Sequence, residues 1–166
     1  RSLKFQSHDC WIRVETDEVT YGMHIMLRFE RENAVINEEL STDDLPGEWN
    51  RRMEQYLGIR PRCDGDGVLQ DIHWSQGGIG YFPDYLLGSM LSAQLWDALI
   101  LENPAATAQI ASGTLESVNR WMREKVQRHG GLYTFAEIAQ VATGRAFSAD
   151  SYVGYLTKKY GEIYRF

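Results

Sequence analysis

Polar and apolar side chains recur at steps of three and four residues through most of this chain, which is the spacing of amphipathic α-helices. Strict alternation of β-branched residues between tight turns, the pattern of strands, is scarce. The clearest polar stripe consists of Arg13, Asp17, Thr20, His24, Arg28 and Arg31. The apolar side chains beside it are Ile12, Val19, Met23, Met26 and Phe29. The sequence therefore predicts an all-α fold.

Helix boundaries follow from capping residues, prolines and glycines. Asp9 is a candidate N-cap for the first helix, Pro46 suits a first turn, and Gly58 ends the second helix. Thr134 and Glu137 stand three residues apart, as in a capping box. The predicted helices are roughly 9–33, 46–57, 82–102, 114–128, 134–144 and 148 or 150 to 160. We therefore expect a bundle of about six helices with one irregular segment, residues 60–81.

Length and charge limit the number of domains and the kinds of partner. The chain has 166 residues, which is the length of one domain. Residues 1–2, Arg-Ser, have the sequence of a cloning scar, so we expect them to be vector-derived and residues 3–166 to form a single helical domain. Lys plus Arg number 17 and Asp plus Glu number 23, which gives a net charge of −6. Nucleic-acid binding normally needs a basic face, so we expect no nucleic-acid partner.

Apolar runs and cysteines bear on the compartment. No apolar run reaches the roughly 18 residues that span a bilayer, because the most apolar stretch, Leu86–Leu101, contains polar residues such as Asp97. We therefore expect no membrane partner. Cys10 and Cys63 are the only cysteines and no Cys-x-x-Cys pair occurs, so a disulfide scaffold is not expected. A reducing cytoplasm is the predicted location.

The irregular segment carries the strongest candidates for chemistry. Asp71 and His73 are two residues apart, and an Asp beside a His can orient the imidazole or raise its pKa. Tyr81 and Tyr85 are four apart at a helix start, so both hydroxyls can face one site. The glycine-rich loop 75–80 between them can move as a lid. The alternative is a buried histidine satisfied by a carboxylate, with two core tyrosines.

The polar stripe on the first helix is the second candidate. A solvated helix face is the more typical interpretation of such a stripe. The functional alternative is a row of charges that lines a cleft. In that case Arg13 is the natural carboxylate binder, because a planar guanidinium can grip both oxygens of a carboxylate.

Metal and nucleotide sites find little support in the spacing. The histidines, His8, His24, His73 and His129, form no His-x-x-x-His pair, and no His-Glu-x-x-His motif occurs. Glu15, Glu18 and Asp71 add carboxylates without making a convincing ligand set. The glycine loop lacks the Lys-Ser/Thr of a phosphate-binding loop. We therefore expect no metal and no nucleotide to be bound by this chain alone.

Three stretches resemble the C-terminal part of the carboxypeptidase Taq family of zinc metallocarboxypeptidases. Residues 12–21 resemble the family's Ile-Arg-x-x-Ala-Asp motif with its Glu-Val-Thr-Tyr extension. Residues 67–74 match Gly-x-x-Gln-Asp-x-His-Trp at every fixed position, and residues 80–88 match the segment that follows. Thr16 stands where the family has Ala. The family's His-Glu-x-x-His, His-Pro-Phe and Asp-x-Arg-x-Thr motifs belong to the region upstream of this part, as does its glutamate ligand.

The resemblance implies roles for individual residues. Arg13 matches the motif arginine that grips the substrate's C-terminal carboxylate. His73 and Tyr85 occupy positions similar to the transition-state stabilisers of related helical zinc peptidases, with Tyr81 as a weaker candidate for the same role. In this interpretation Asp71 orients His73. The same resemblance assigns Gln70 and Trp74 to the walls of the substrate pocket.

The resemblance also implies a function for a longer protein. That protein would be a cytoplasmic, homodimeric zinc carboxypeptidase that acts on peptides with a free C-terminus. Zinc would polarise the scissile carbonyl from ligands upstream of this chain, so the chain is expected to be inactive without the missing N-terminal part. The alternative is a non-catalytic helical interaction or dimerisation module derived from the same family. A third interpretation makes Asp71, His73 and Tyr85 a self-sufficient acid–base site.

Overall fold

The computed structural model describes residues 10–165, and all regular structure in that range is helical. The α-helices are α1 (Glu18–Ile36), α2 (Leu45–Leu57), α3 (Phe82–Glu102), α4 (Ala106–Ala111), α5 (Glu116–Lys125), α6 (Phe135–Thr143) and α7 (Asp150–Tyr164). Short 3-10 turns cover Arg13–Glu15, Trp74–Gln76 and Gln127–His129. The all-α prediction is confirmed. The expected vector-derived residues 1–2 lie outside the described range.

The chain divides into two compact units, residues 1–86 and 87–166. In the first unit, α1 packs against α2. Their shared core contains Leu27, Trp49, Met53 and Val68, all buried. Trp74, which opens the glycine-rich loop, packs against this core and so ties the loop to both helices. Burial of these large apolar side chains supplies the main stabilisation of the unit.

The start of α1 differs from the prediction. Asp9, the predicted cap, lies outside the described residues, and α1 begins at Glu18 instead. The Asp17 carboxylate accepts hydrogen bonds from the backbone N–H groups of Val19 (2.8 Å) and Thr20 (3.0 Å), which satisfies two donors of the first turn. Arg13 consequently lies before the helix, in its own 3-10 turn.

The orientation of α1 reverses the expected solvated face. His24, Arg28 and Arg31 of the polar stripe are buried. The apolar stripe is the exposed one: Val19 is 44%, Met23 39%, Met26 37% and Phe29 50% exposed. The buried cations are neutralised by carboxylates from other segments, namely Asp71 and Glu48. A charged helix face can lie inside because each charge finds a partner there.

The second unit has its own core, formed by Ala98, Leu99, Ala106 and Trp121. Ala106 belongs to α4, a six-residue helix that the sequence analysis did not predict. The predicted capping box of α6 is present, because Thr134 Oγ1 and the Glu137 backbone N–H bond to each other while the Glu137 side chain accepts from Thr134 N–H. Among residues 10–165, no helix combines the length and apolar character of a membrane span.

Candidate functional site

The Asp71 carboxylate, whose side chain is 10% exposed, joins two buried arginines in the first unit. Asp71 Oδ1 accepts hydrogen bonds from Arg13 Nε (3.0 Å) and Nη2 (2.8 Å). Asp71 Oδ2 accepts from Arg28 Nε at 2.6 Å. Arg13 comes from the turn before α1, Arg28 from α1, and Asp71 from the irregular segment. One carboxylate therefore fixes three separate stretches of the chain.

The electrostatics of this cluster favour ionised groups. Burial by itself would raise the pKa of Asp71, but the charges and hydrogen bonds of Arg28 and Arg13 outweigh it and hold the pKa below its ordinary value. Burial lowers the pKa of Arg28 to about 10, with Asp71 opposing the shift, so the guanidinium stays charged at neutral pH. Because Arg13 and Arg28 are cations and Asp71 is one anion, the cluster keeps a net positive charge in a region largely shielded from water.

Gln70 uses its whole side-chain amide to hold this cluster. Its Oε1 accepts from the Arg13 backbone N–H (2.8 Å) and from Arg28 Nη2 (2.7 Å). Its Nε2 donates to the backbone carbonyls of Trp11 and Asp66, both at 2.9 Å. These four bonds fix the orientation of the amide and match its full donor and acceptor capacity. Gln70 therefore holds the backbone of Arg13 in position.

His73 and Tyr85 form a hydrogen-bonded pair within the site. His73 Nε2 and Tyr85 Oη are 3.0 Å apart. The imidazole packs on Phe82 with a ring-centroid distance of 4.5 Å. The Arg13 guanidinium carbon lies 4.8 Å from the centroid of the Tyr85 ring. The structure therefore brings together Arg13, His73 and Tyr85, which the sequence analysis had singled out from different segments.

The contact between Asp71 and His73 is looser than the sequence analysis expected. His73 Nδ1 is 3.9 Å from Asp71 Oδ1, beyond hydrogen-bond distance. The Asp71 oxygens bond to the arginines instead. The tautomer of His73 therefore decides which group donates in its contact with the Tyr85 hydroxyl. Asp71 thus positions Arg13 directly and does not hydrogen-bond to His73.

Tyr81 and Trp74 complete the set of predicted residues. Tyr81 is 49% exposed, and its ring centroid is 5.6 Å from that of His73 and 5.4 Å from that of Tyr85. Trp74 Nε1 donates to Glu32 Oε2 at 2.7 Å. Glu32 also accepts from the backbone N–H of Gly80. Tyr81 therefore lies at the exposed rim, whereas the Trp74 indole is anchored to α1.

Two buried residues that bond to the predicted site residues, Arg28 and Glu32, were assigned no role from the sequence. Arg28 belonged to the polar stripe, but its partner Asp71 is 43 residues away in sequence. Glu32 is one helical step of four beyond Arg28, so the stripe extended by one turn would have included it. The spacing therefore places Arg28 and Glu32 on one face of α1, but it does not show that this face points into the protein.

Arg13 has limited capacity left for a ligand. Its Nε and Nη2 edge is committed to Asp71. Its Nη1 makes a longer contact, 3.4 Å, to the hydroxyl of Tyr21. A ligand carboxylate would therefore have to approach the Nη1–Nη2 end of the guanidinium, where N–H donors of both nitrogens remain, and not the Nε–Nη2 edge.

Metal ligands are a separate question. Within the described part of the chain, residues 10–165, no group of three or more His, Cys, Asp or Glu side chains is arranged to hold a metal ion. His24 lies beside Arg28, with Nδ1 and Nη1 3.4 Å apart. Burial, together with the charge of Arg28, lowers the pKa of His24 to about 4. His24 is therefore neutral at pH 7 and serves the packing of α1.

The burial of His24 predicts an acid-sensitive fold. In the unfolded chain a histidine takes up a proton below about pH 6.5, whereas folded His24 does so only near pH 4. The unfolded state binds more protons in this window, so stability falls as the pH drops through it, by about 3 kcal/mol in total. Urea unfolding at pH 7, 5.5 and 4 measures the effect. A His24→Gln variant should lose this part of the pH dependence, and an equally steep profile in the variant would contradict the assignment.

Comparison with known proteins gives high similarity over nearly the whole chain. Carboxypeptidase 1 of Bacillus subtilis (strain 168) is 40% identical over 159 residues, which cover 96% of this chain and 32% of the relative. Thermostable carboxypeptidase 1 of Pyrococcus furiosus is 43% identical over 150 residues, which cover 90% of this chain and 30% of the relative. The chain thus spans about a third of the length of these relatives.

Solved structures agree with the sequence relatives. The M32 carboxypeptidase from Deinococcus radiodurans R1 has a TM-score of 0.90 and 41% identity, and the match covers 94% of this chain and 32% of that protein. Metallocarboxypeptidase 1 of Trypanosoma cruzi has a TM-score of 0.86 and 35% identity, covering 90% of this chain and 32% of that protein. The all-α fold is therefore the fold of part of these enzymes.

A family model gives the same result. Residues 6–160 match the model for carboxypeptidase Taq (M32) metallopeptidases. The match includes every predicted site residue, from Arg13 to Tyr85, and confirms the resemblance drawn from the three sequence motifs. This chain belongs to the carboxypeptidase Taq (M32) family of metallopeptidases.

Proposed function

We propose that this chain is the C-terminal portion of a zinc-dependent metallocarboxypeptidase that removes C-terminal residues from peptides. The observation that carries the proposal is the meeting of Arg13, His73 and Tyr85 in one cluster, within a chain that belongs to this peptidase family. In the proposal, these residues form the side of the cleft that holds the substrate's carboxylate and stabilises negative charge. The longer protein would be cytoplasmic and homodimeric.

Arg13 is proposed to bind the free C-terminal carboxylate of the peptide. The cluster of Arg13, Arg28 and Asp71 carries one more positive than negative charge, and its burial strengthens attraction for an anion. Asp71 and Gln70 hold the guanidinium and the turn that carries it. The ligand would then approach Nη1 near Tyr21. Asp71 and Gln70 therefore contribute to substrate binding by pre-positioning Arg13.

Tyr85 and His73 are proposed to stabilise the oxyanion that develops on the scissile carbonyl. In the resting site the Tyr85 hydroxyl is 3.0 Å from His73 Nε2. When negative charge develops nearby, the Tyr85 hydroxyl, or His73 Nε2 in the tautomer that carries its proton there, can donate a hydrogen bond to the oxyanion. Such preorganised donors act most strongly at the transition state. Tyr81 is the alternative donor, and its exposed position at the rim also suits contact with the entering peptide.

Zinc is proposed to be held by polypeptide outside this chain. The sequence contains no His-Glu-x-x-His motif, and the described residues offer no ligand set that fits the metal. When bound in the longer protein, zinc would activate the attacking water.

The isolated chain is therefore expected to be inactive and to bind no catalytic zinc tightly. Dialysis against buffer with micromolar zinc, then against metal-free buffer, followed by elemental analysis, measures retained metal. The expected result is well below one zinc per chain, with no release of C-terminal residues from a test peptide. Retention of one zinc per chain together with peptidase activity would refute this division of the site.

A second candidate function is a non-catalytic interaction or dimerisation module. The exposed apolar stripe of α1, Val19, Met23, Met26 and Phe29, favours a chain that is covered by another surface. The coding sequence upstream of Arg1 discriminates between the two candidates. A His-Glu-x-x-His motif in the same reading frame supports the enzyme, and its absence supports the binding module.

The oxyanion role predicts the effect of Tyr85→Phe in the longer protein. Loss of one such donor should lower kcat by roughly 10²- to 10³-fold, with little change in KM. Steady-state kinetics on a short peptide measures both constants. Tyr56→Phe is the matched control, because it also removes a tyrosine hydroxyl that is hydrogen-bonded to a side chain, but the partner is Glu30 and not His73. An unchanged kcat for Tyr85→Phe would remove the residue from the proposed machinery.

The carboxylate role predicts a substrate-dependent effect of Arg13→Ala. KM for peptides with a free C-terminus should rise about 10- to 100-fold, the size expected for a hydrogen bond to a charged group. Peptides with a C-terminal amide measure the structural damage alone, since Arg13 also holds Asp71. Equal losses on both substrates would show that Arg13 does not recognise the carboxylate.

A further inference from the structure

Glu32 is a buried carboxylate of α1, and its hydrogen bonds within residues 10–165 both come from the two ends of the glycine-rich loop. Its side chain accepts hydrogen bonds from Trp74 Nε1 (2.7 Å) and from the backbone N–H of Gly80. Glu32 is only 7% exposed, and none of the ion pairs among residues 10–165 includes it. A buried carboxylate of this kind depends on its hydrogen-bond donors for stabilisation.

The two donors stand at opposite ends of the loop. Trp74 directly follows His73, and Gly80 directly precedes Tyr81 and Phe82 at the start of α3. A single carboxylate therefore fixes the chain both where it leaves His73 and where it approaches Tyr85.

The loop itself folds back tightly on His73. The Gly78 backbone N–H donates to the His73 carbonyl at 2.7 Å. A Cβ at Gly78 would lie 3.1 Å from that carbonyl oxygen, so only glycine fits without displacement. Gly77 and Gly80 have φ values of +73° and +78°, a region that favours glycine. This loop has little packing of its own, so its position depends on its attachment points.

We propose that Glu32 is a positioning residue for the His73–Tyr85 pair. By holding both ends of the loop, it fixes the 3.0 Å separation between His73 Nε2 and Tyr85 Oη. This inference rests on the proposed oxyanion role of that pair. An error of about 1 Å in the placement of a catalytic group is enough to slow a reaction substantially, whereas binding of the substrate at Arg13 is left intact.

The tether is tested first in this chain, without any activity. Hydrogen–deuterium exchange followed by mass spectrometry measures the amides of residues 75–82. Glu32→Gln keeps the shape of the side chain but loses one acceptor and the charge, so exchange in this segment should rise about tenfold or more. Trp74→Phe removes one donor from the other side of the contact and should raise exchange in the same segment.

Glu30→Gln is the matched control. Glu30 lies two residues earlier on α1 and also accepts a hydrogen bond from a distant aromatic residue, Tyr56 (2.7 and 2.8 Å to the two oxygens). Exchange in residues 75–82 should therefore stay unchanged in this variant. If Glu32→Gln and Trp74→Phe exchange like the wild type, or if Glu30→Gln loosens the loop equally, the proposed tether is overturned.

The positioning role is tested in the longer protein by kinetics. Glu32→Gln should lower kcat about tenfold while KM changes less than about twofold, because carboxylate binding at Arg13 is separate. Trp74→Phe should lower kcat in the same direction, whereas Glu30→Gln should leave it unchanged. A variant that folds poorly would instead contain fewer active sites. Titration of the active sites in each purified variant detects such a loss.

The outcomes separate this inference from the proposed function. If Tyr85→Phe lowers kcat but Glu32→Gln does not, the proposed function stands and the positioning role of Glu32 is overturned. If Tyr85→Phe leaves kcat unchanged, the oxyanion role fails, and the positioning role fails with it. Faster exchange at the loop, a lower kcat for Glu32→Gln and a kcat for Tyr85→Phe that falls by roughly 10²- to 10³-fold together support the inference.

Discussion

The first unit depends on one ion cluster, in which the Asp71 carboxylate bridges the buried guanidinium groups of Arg13 and Arg28. Removing such a carboxylate would leave two buried guanidinium groups uncompensated, which costs several kcal/mol. The cluster therefore commits α1, the turn before it and the irregular segment to one arrangement. The same cluster retains one unit of positive charge, so the interaction that specifies the fold also supplies the charge that the proposed carboxylate site requires.

The aromatic side of the site is built on that support. Phe82 and Trp74 pack around His73 and the core, while Gln70 and Glu32 bond to the segments on either side of His73. Residues that contact the proposed substrate are thus few, and the residues that hold them are more numerous. This division is expected where geometry must be kept within fractions of an ångström.

The sequence was sufficient for the helical class, for the capping box of α6 and for the motif that carries Asp71, His73 and Trp74. Local spacing predicts the helices and the capping box, since each depends on neighbours a few residues away, whereas the motif was identified by its resemblance to a known family. Local sequence did not predict which face of α1 is buried, because the carboxylates that pair with its arginines, Asp71 and Glu48, come from other segments. It also missed α4, a helix too short for its periodicity to be read, and the role of Glu32, whose partners are 42 and 48 residues away.

The outward apolar stripe of α1 affects how this chain behaves in a test tube. Fluorescent dyes that report loose hydrophobic surface would bind the native chain, because Val19, Met23, Met26 and Phe29 offer such surface without any unfolding. A bright dye signal is commonly taken as the mark of a molten globule. For this chain the same signal would accompany a fully ordered helix, so near-ultraviolet circular dichroism is the better judge of whether its tertiary packing is intact.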